Sequence, residues 1–187
     1  LNTTSYDYKN SKGESNSNVH SSNGNFYEIG YSFPLEISER SKTFGRYSRL
    51  HFKTGLTLNQ YNATGGNTID NYEWNSQYLG LRSDLEYYIL GADLLALSID
   101  GGIGFEFLLN GKQKIGGNTY DLKDSDEFNG LYFTPRIGLN LSVNITNEVA
   151  LIGGYNFSKA ISSSKSGNES VSFNNNQLRF GIIIQTY

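Results

Sequence analysis

Apolar and polar residues take strict turns along most of this chain. In LYFTPRIGLNLSVNI, residues 131–145, Leu131, Phe133, Ile137, Leu139, Leu141, Val143 and Ile145 alternate with Arg136, Asn140, Ser142 and Asn144. A period of two is the mark of a strand whose two faces meet unlike surroundings. The same pattern predicts a strand through FYEIGYSFPLEIS, where Tyr27, Ile29, Tyr31, Phe33, Leu35 and Ile37 share one parity against Glu28, Gly30, Ser32 and Glu36. It returns over 46–59, 74–89 and 94–109, in EVALIGGYNFS and in QLRFGIIIQTY, which makes seven strands with 131–145. The opening LNTTSYDYK, with Tyr6 and Tyr8 in phase, supplies an eighth, readable as the upper end of a first strand whose beginning lies outside this chain.

The connections alternate in length. Short ones fall near 39–45, 90–93 and 146–148, and long polar ones near 10–24, 60–73, 110–129 and 159–176. One rim of tight turns and one rim of long loops is the expectation for an up-and-down antiparallel barrel, here a single all-β domain of about eight strands over residues 1–187. Pro135 falls within a strand, where its missing N–H forfeits a ladder bond, so a bulge or a weakened pairing is expected there.

Alternation does not say which parity faces inward. In a soluble, lipocalin-like barrel the apolar parity lines a cavity, whereas in a transmembrane barrel it faces lipid. Glycine placement favours the second, because Gly30, Gly55, Gly80, Gly102, Gly104, Gly138, Gly154 and Gly181 all share the charged parity. A narrow lumen needs small residues beside large ones, and a solvent face does not. The charged parity carries Glu28, Glu36, Asp84, Glu86, Asp100 and Glu106 against Arg49, Lys53, Arg82, Arg136 and Arg179, so we expect a salt-bridge network filling the lumen. Ile29, Phe33, Phe52, Leu81, Phe105, Leu139, Leu141, Tyr155, Phe180 and Ile182 are then lipid-facing. Tyr27, Tyr87, Phe105, Phe107, Phe133, Tyr155 and Phe157, near strand ends, suit interfacial girdles.

Composition narrows the field further. A net charge of -3 offers no footprint for nucleic acid, and the lack of cysteine removes disulfides and thiolate metal sites. No run of eighteen apolar residues occurs, which excludes a transmembrane helix but not a β-barrel. The absence of Met fits a processed polypeptide whose targeting segment has been removed.

With its alternation, loop asymmetry and aromatic Tyr187, the chain resembles the small outer-membrane barrels of Gram-negative bacteria, the OmpA-barrel and OmpX-like group. Its richness in Asn, Ser, Ile and Tyr is similar to outer-membrane proteins of Bacteroidota. The resemblance implies an outer-membrane location with periplasmic termini and extracellular long loops. It also implies contact with outer-membrane lipid and lipopolysaccharide, and with other outer-membrane proteins or lipoproteins as candidate partners. One departure stands out: Tyr187 is in phase with Arg179 and Gln185, whereas the terminal aromatic of such barrels shares the lipid parity.

Candidate chemistry is sparse. His51 shares the lumen parity with Lys53 and reads as a structural histidine, and His20 lies in a polar loop. Lipid-A-modifying barrels place a His/Ser pair toward lipid, which His51 does not match, so no catalytic residue and no cofactor is expected. Asp121, Asp124, Asp126 and Glu127 read as a solvated acidic loop, since they lack the ligand register of a calcium loop, and no metal site is assigned. Tyr61, Tyr72, Trp74 and Tyr120 serve as contact aromatics on the long-loop side or cap the rim. The function expected is a nonenzymatic outer-membrane barrel with a charge-plugged lumen, structural or accessory to a larger transport, secretion or insertion complex. The alternatives are a surface adhesin or receptor acting through its loops, and a soluble lipid-binding barrel.

Overall fold

A computed structural model describes residues 1–9, 12, 19–35, 48–66, 71–125, 128–163 and 170–184. Among them ten strands form one antiparallel sheet: β1 (Asn2–Lys9), β2 (Val19–Gly24), β3 (Phe26–Pro34), β4 (Leu50–Gly66), β5 (Asn71–Gly91), β6 (Leu95–Ile115), β7 (Asn118–Asp121), β8 (Leu131–Asn144), β9 (Val149–Ser162) and β10 (Ser170–Ile184). The neighbours run β2-β1-β10-β9-β8-β6-β5-β4-β3, and β2 also pairs with β4, so the sheet closes on itself. β2 and β3 are successive pieces of one stave against β4, and β7 is a short return strand on β6. Eight staves therefore make the barrel, as the alternation predicts.

The faces are sorted inside out. Leu81, Phe105, Leu139, Leu141, Tyr155, Phe180, Ile182, Ile29 and Phe33 are all exposed, and Phe52 is half-exposed. Arg82, Asp84, Glu86, Asp100 and Glu106 are buried. A soluble fold hides its apolar side chains and leaves its ions in water, because an unpaired charge in a low-dielectric interior is costly. This chain does the reverse on every stave of the belt.

Three of the segments expected as long loops are largely strand. Residues 60–66 and 71–73 belong to β4 and β5, 110–115 and 118–121 to β6 and β7, and 159–162 and 170–176 to β9 and β10. In the fourth, 10–24, residues 19–24 form β2. The reason is physical: alternation reports an apolar outer face against a polar inner one, and above the belt the outer face turns polar while the inner one takes aromatics such as Tyr61 and Phe173, so that contrast is lost while the hydrogen-bond ladder continues. β5 and β6 reach 21 residues each, or about 70 Å along the strand, far more than the ~25 Å apolar band needs. Residues 10–11, 13–18, 67–70, 126–127 and 164–169 of those loops, the short connection at 39–45, Glu36 and Tyr187 lie outside the described residues.

At Pro135 the register does not shift. β8 pairs with β9 at Phe133 and again at Arg136, with the ladder interrupted between, while Pro135 keeps its place opposite Ile103 of β6. The lost N–H thus faces β9. Bulges occur elsewhere, between Gln77 and Tyr78 and between Tyr88 and Leu90 on β5.

Candidate functional site

The interior is built in layers, each drawing on several staves because every second residue points inward. Nearest the short-turn end, Lys53 of β4 lies 3.1 Å from Glu86 of β5 and 3.6 Å from Asp100 of β6. Arg179 of β10 reaches the same Asp100 at 3.0 Å. Asn140 of β8 ties the group together, donating to Asp100 at 2.9 Å and Glu86 at 3.2 Å while accepting from Arg179 at 2.8 Å. Ser98 adds a 2.6 Å bond to Glu86.

The next layer is a ring of four charges. Arg82 pairs with Glu28 and, at 2.6 Å, with Asp84; Arg136 lies 3.7 Å from Glu28 and 3.5 Å from Asp84. Two cations facing two carboxylates leave this ring neutral, which is the condition for holding ions out of water. Gly102 and Gly138 create the room: a Cβ on Gly102 would strike Asp84, and one on Gly138 would strike Asp100 and lie 2.8 Å from Arg179 Nη2.

Glu106 behaves differently from its expected place among the ion pairs. Its carboxylate accepts from Tyr61 OH at 2.6 Å and Asn59 Nδ2 at 2.9 Å, and among the described residues no ion pair includes it. From Asn59 a polar chain runs on through Gln177 to Asn156, each step 3.1 Å. Arg49 stands at the short-turn end, half-buried, its guanidinium 3.5 Å from Tyr87 OH. Glu28 has a side chain 19% exposed, the least enclosed of the paired carboxylates in the lumen.

Above Glu106 the lumen turns aromatic. Phe173 is fully buried, with ring centroids 4.6 Å from Tyr6, 4.9 Å from Tyr61, 5.1 Å from Tyr132 and 5.7 Å from Tyr78. Leu122, on a 3-10 turn after β7, and Phe128 fold over this cluster, and Tyr78 OH donates to the Phe128 carbonyl at 3.2 Å. Tyr61 and Trp74, expected at the rim, belong here; Trp74 stacks on Tyr72 at 5.9 Å, and Tyr120 is exposed. Sequence reading missed Tyr78, Tyr132 and Phe173 as core. The available signal was their place on the charged parity, where large aromatics had no reason to be unless that face is interior.

His51 is not isolated. Its Nδ1 is 3.0 Å from Ser32 Oγ and its ring meets Tyr88 edge-on at 5.2 Å, neither of which sequence spacing revealed. His20 is on β2 opposite Thr64. Of the acidic segment, Asp121 caps the 3-10 turn by accepting from Lys123 N at 2.9 Å, and no metal-holding cluster of His, Cys, Asp or Glu occurs among the described residues. On the tall rim, a hydrogen bond from Asn75 and the Lys114 ammonium hold the Glu73 carboxyl below its ordinary value.

No family model and no curated protein matches the chain. Among solved structures it is similar to Ail, the attachment invasion locus protein of Yersinia pestis, at 10% identity and a TM-score of 0.40, covering 98% of this chain and 93% of that one. So loose a likeness carries no argument about function.

Proposed function

We propose that the chain is a nonenzymatic outer-membrane β-barrel with a sealed interior, serving as a structural or accessory subunit of a larger cell-envelope assembly. One observation carries this reading: the outward face carries an apolar belt while neutralised ion groups and a roof of aromatics occupy the lumen. An apolar exterior of this extent is stable only in lipid. Buried, mutually paired charges leave no wide aqueous path, so transport through the barrel is disfavoured and the working surfaces are its outside and its ends. On this reading the termini lie on the periplasmic side, and lipid and lipopolysaccharide surround the belt.

The test is to express the protein with an export signal, extract outer membranes in mild detergent, and examine both its migration and its conductance. The expected results are heat-modifiable gel migration, a native complex larger than the lone barrel, and no discrete current steps in planar bilayers. Discrete steps would refute the seal, and a detergent-independent soluble monomer would refute the membrane assignment.

A second reading rests on the tall rim. The β4–β5 ladder runs unbroken to Gly66 and Asn71, and β5–β6 extends to Ile115, so the long-loop side is a stiff palisade suited to contact with external partners. If removing the palisade residues abolishes binding to cells while the barrel still inserts, the adhesin or receptor role takes precedence.

A further inference from the structure

Above the aromatic roof the two faces of the tall rim differ in kind. Thr64, Glu73, Lys114 and Thr119 lie in one register row across β4 to β7, and Asn62, Asn75, Lys112 and Asp121 in another. These rows face outward, and there Lys114 lies 3.5 Å from Glu73. The rows between them face the mouth of the barrel. Ala63, Trp74, Gln113 and Tyr120 form one, and Gly65, Tyr72, Ile115 and Asn118 the other. They continue upward the positions that send Tyr61, Ser76 and Tyr78 into the core. The charges of this sheet are thus all on its outer rows, and the inner rows carry none.

The inner rows are also rigid and open. Tyr72 stacks on Trp74 with ring centroids 5.9 Å apart and planes at 15°. Trp74 stands 6.1 Å from Tyr6, which stands 4.6 Å from Phe173, so the half-exposed rings end a column rooted in the buried roof. Rings fixed in this way have little freedom left to lose on contact. Beside them on β4, Ala63 and Gly65 are too small to cover their faces. Two strands away across Gln113, Tyr120 is 51% exposed. At ~4.8 Å between strands, Trp74 and Tyr120 stand about 10 Å apart with a carboxamide between them. Among the described residues the side chains of Trp74, Gln113, Asn118 and Tyr120 make no hydrogen bond.

We propose that these inner rows bind a neutral oligosaccharide that enters the mouth from the long-loop side. A sugar ring lays its apolar C–H face on an aromatic ring, and its hydroxyls both donate and accept. The carboxamides of Gln113 and Asn118 and the tyrosine hydroxyls likewise do both, while the Trp74 indole N–H donates. A polyanion needs facing cations, and Lys112 and Lys114 are on the opposite face. A polyproline segment offers carbonyl acceptors alone and leaves the amide oxygens unanswered. The inference rests on the reading of the tall rim as a contact surface, to which it adds the ligand class.

Trp74 is the single tryptophan, so its emission reports the site directly. The full chain is folded in zwitterionic detergent micelles without sugar headgroups, checked by heat-modifiable migration, and titrated with maltohexaose, cellohexaose and N-acetylchitohexaose. The expected result is a saturable change in Trp74 emission with at least one of them. Tyr120→Ala and Gln113→Leu each weaken it about tenfold, and Glu73→Gln, on the outer face, leaves it unchanged. No response to any of the three in heat-modifiable protein overturns the proposal and leaves the barrel standing. A response that both inner-face variants leave intact overturns it as well. Decaproline or heparin acting in their place would assign the rows to a peptide or a polyanion, and a response to lipopolysaccharide alone would assign them to the barrel's own membrane; each of these also overturns it. Protein that lacks heat-modifiable migration would remove the barrel and the site together.

Discussion

Leu139→Arg tests which solvent the outer face meets. Leu139 is 49% exposed on β8, with Ile99 and Tyr155 beside it in the ladder, and its side chain points away from every lumen group. It stands six residues along the strand from Phe133 of the aromatic girdle, which at ~3.3 Å per residue and a tilt near 40° is about 15 Å in depth. An arginine side chain is too short to carry its charge that far, so most of the midplane cost of about 2–4 kcal/mol applies. That is about a 30- to 700-fold shift in the folding equilibrium, at 1.4 kcal/mol per decade. Were the face in water, the same change would fall within about 0.5 kcal/mol, because nothing is buried or unpaired. Denaturant unfolding from lipid vesicles, followed by fluorescence of the single tryptophan, Trp74, reads the difference, with Leu139→Ala as the control for lost side-chain area. A Leu139→Arg variant indistinguishable from Leu139→Ala in vesicles refutes the inside-out assignment.

Two further outcomes follow from the interior. Phe173→Ala removes the centre of the aromatic roof and is expected to cost about 3–5 kcal/mol, whereas Phe180→Ala, facing outward, costs about 1 kcal/mol or less; equal losses in vesicle unfolding would contradict the packing described. Asp100→Ala strands Arg179 and weakens Lys53, at about 3–5 kcal/mol, and adding Arg179→Ala to it is expected to restore part of that loss. A double variant whose cost is the plain total of the two single ones would mean that the pair is not coupled.

What could be read from the residues was the belt. Wherever lipid-facing and lumen-facing side chains contrast, as from Leu131 to Asn144, the alternation located the strand, and the eight-stave barrel followed. Outside the belt the contrast vanishes. Apart from Tyr61, Gln60 to Gly66 of β4 carries polar and small residues on both faces and looks like a loop, yet it is paired residue for residue with β5. Composition hid β2 and β7 in the same way. Within the lumen, parity identified the charged candidates but not their partners, because most of these come from other staves, Arg82 with Asp84 being the pair within one strand. Nothing near Glu106 foretells that Tyr61 and Asn59, rather than a cation, hold its carboxylate. Likewise, Asn140 is one polar residue among several on β8 until the fold places it between Asp100, Glu86 and Arg179.

The reach of those interior bonds along the chain bears on how the molecule is made. Gln177 meets Asn59 across 118 residues, Arg179 meets Asp100 across 79, and Asn140 meets Glu86 across 54. The β4–β5 hairpin carries two pairs of its own, Lys53 with Glu86 and Arg82 with Asp84, but Glu28, Asp100, Arg136 and Arg179 find their partners only on staves outside their own hairpins. Stepwise insertion of hairpins would therefore pass through species with naked ions in hydrocarbon. On the membrane reading the chain is expected to cross as a nearly assembled cylinder, in one slow cooperative event in which loop closure outweighs the insertion of any single strand.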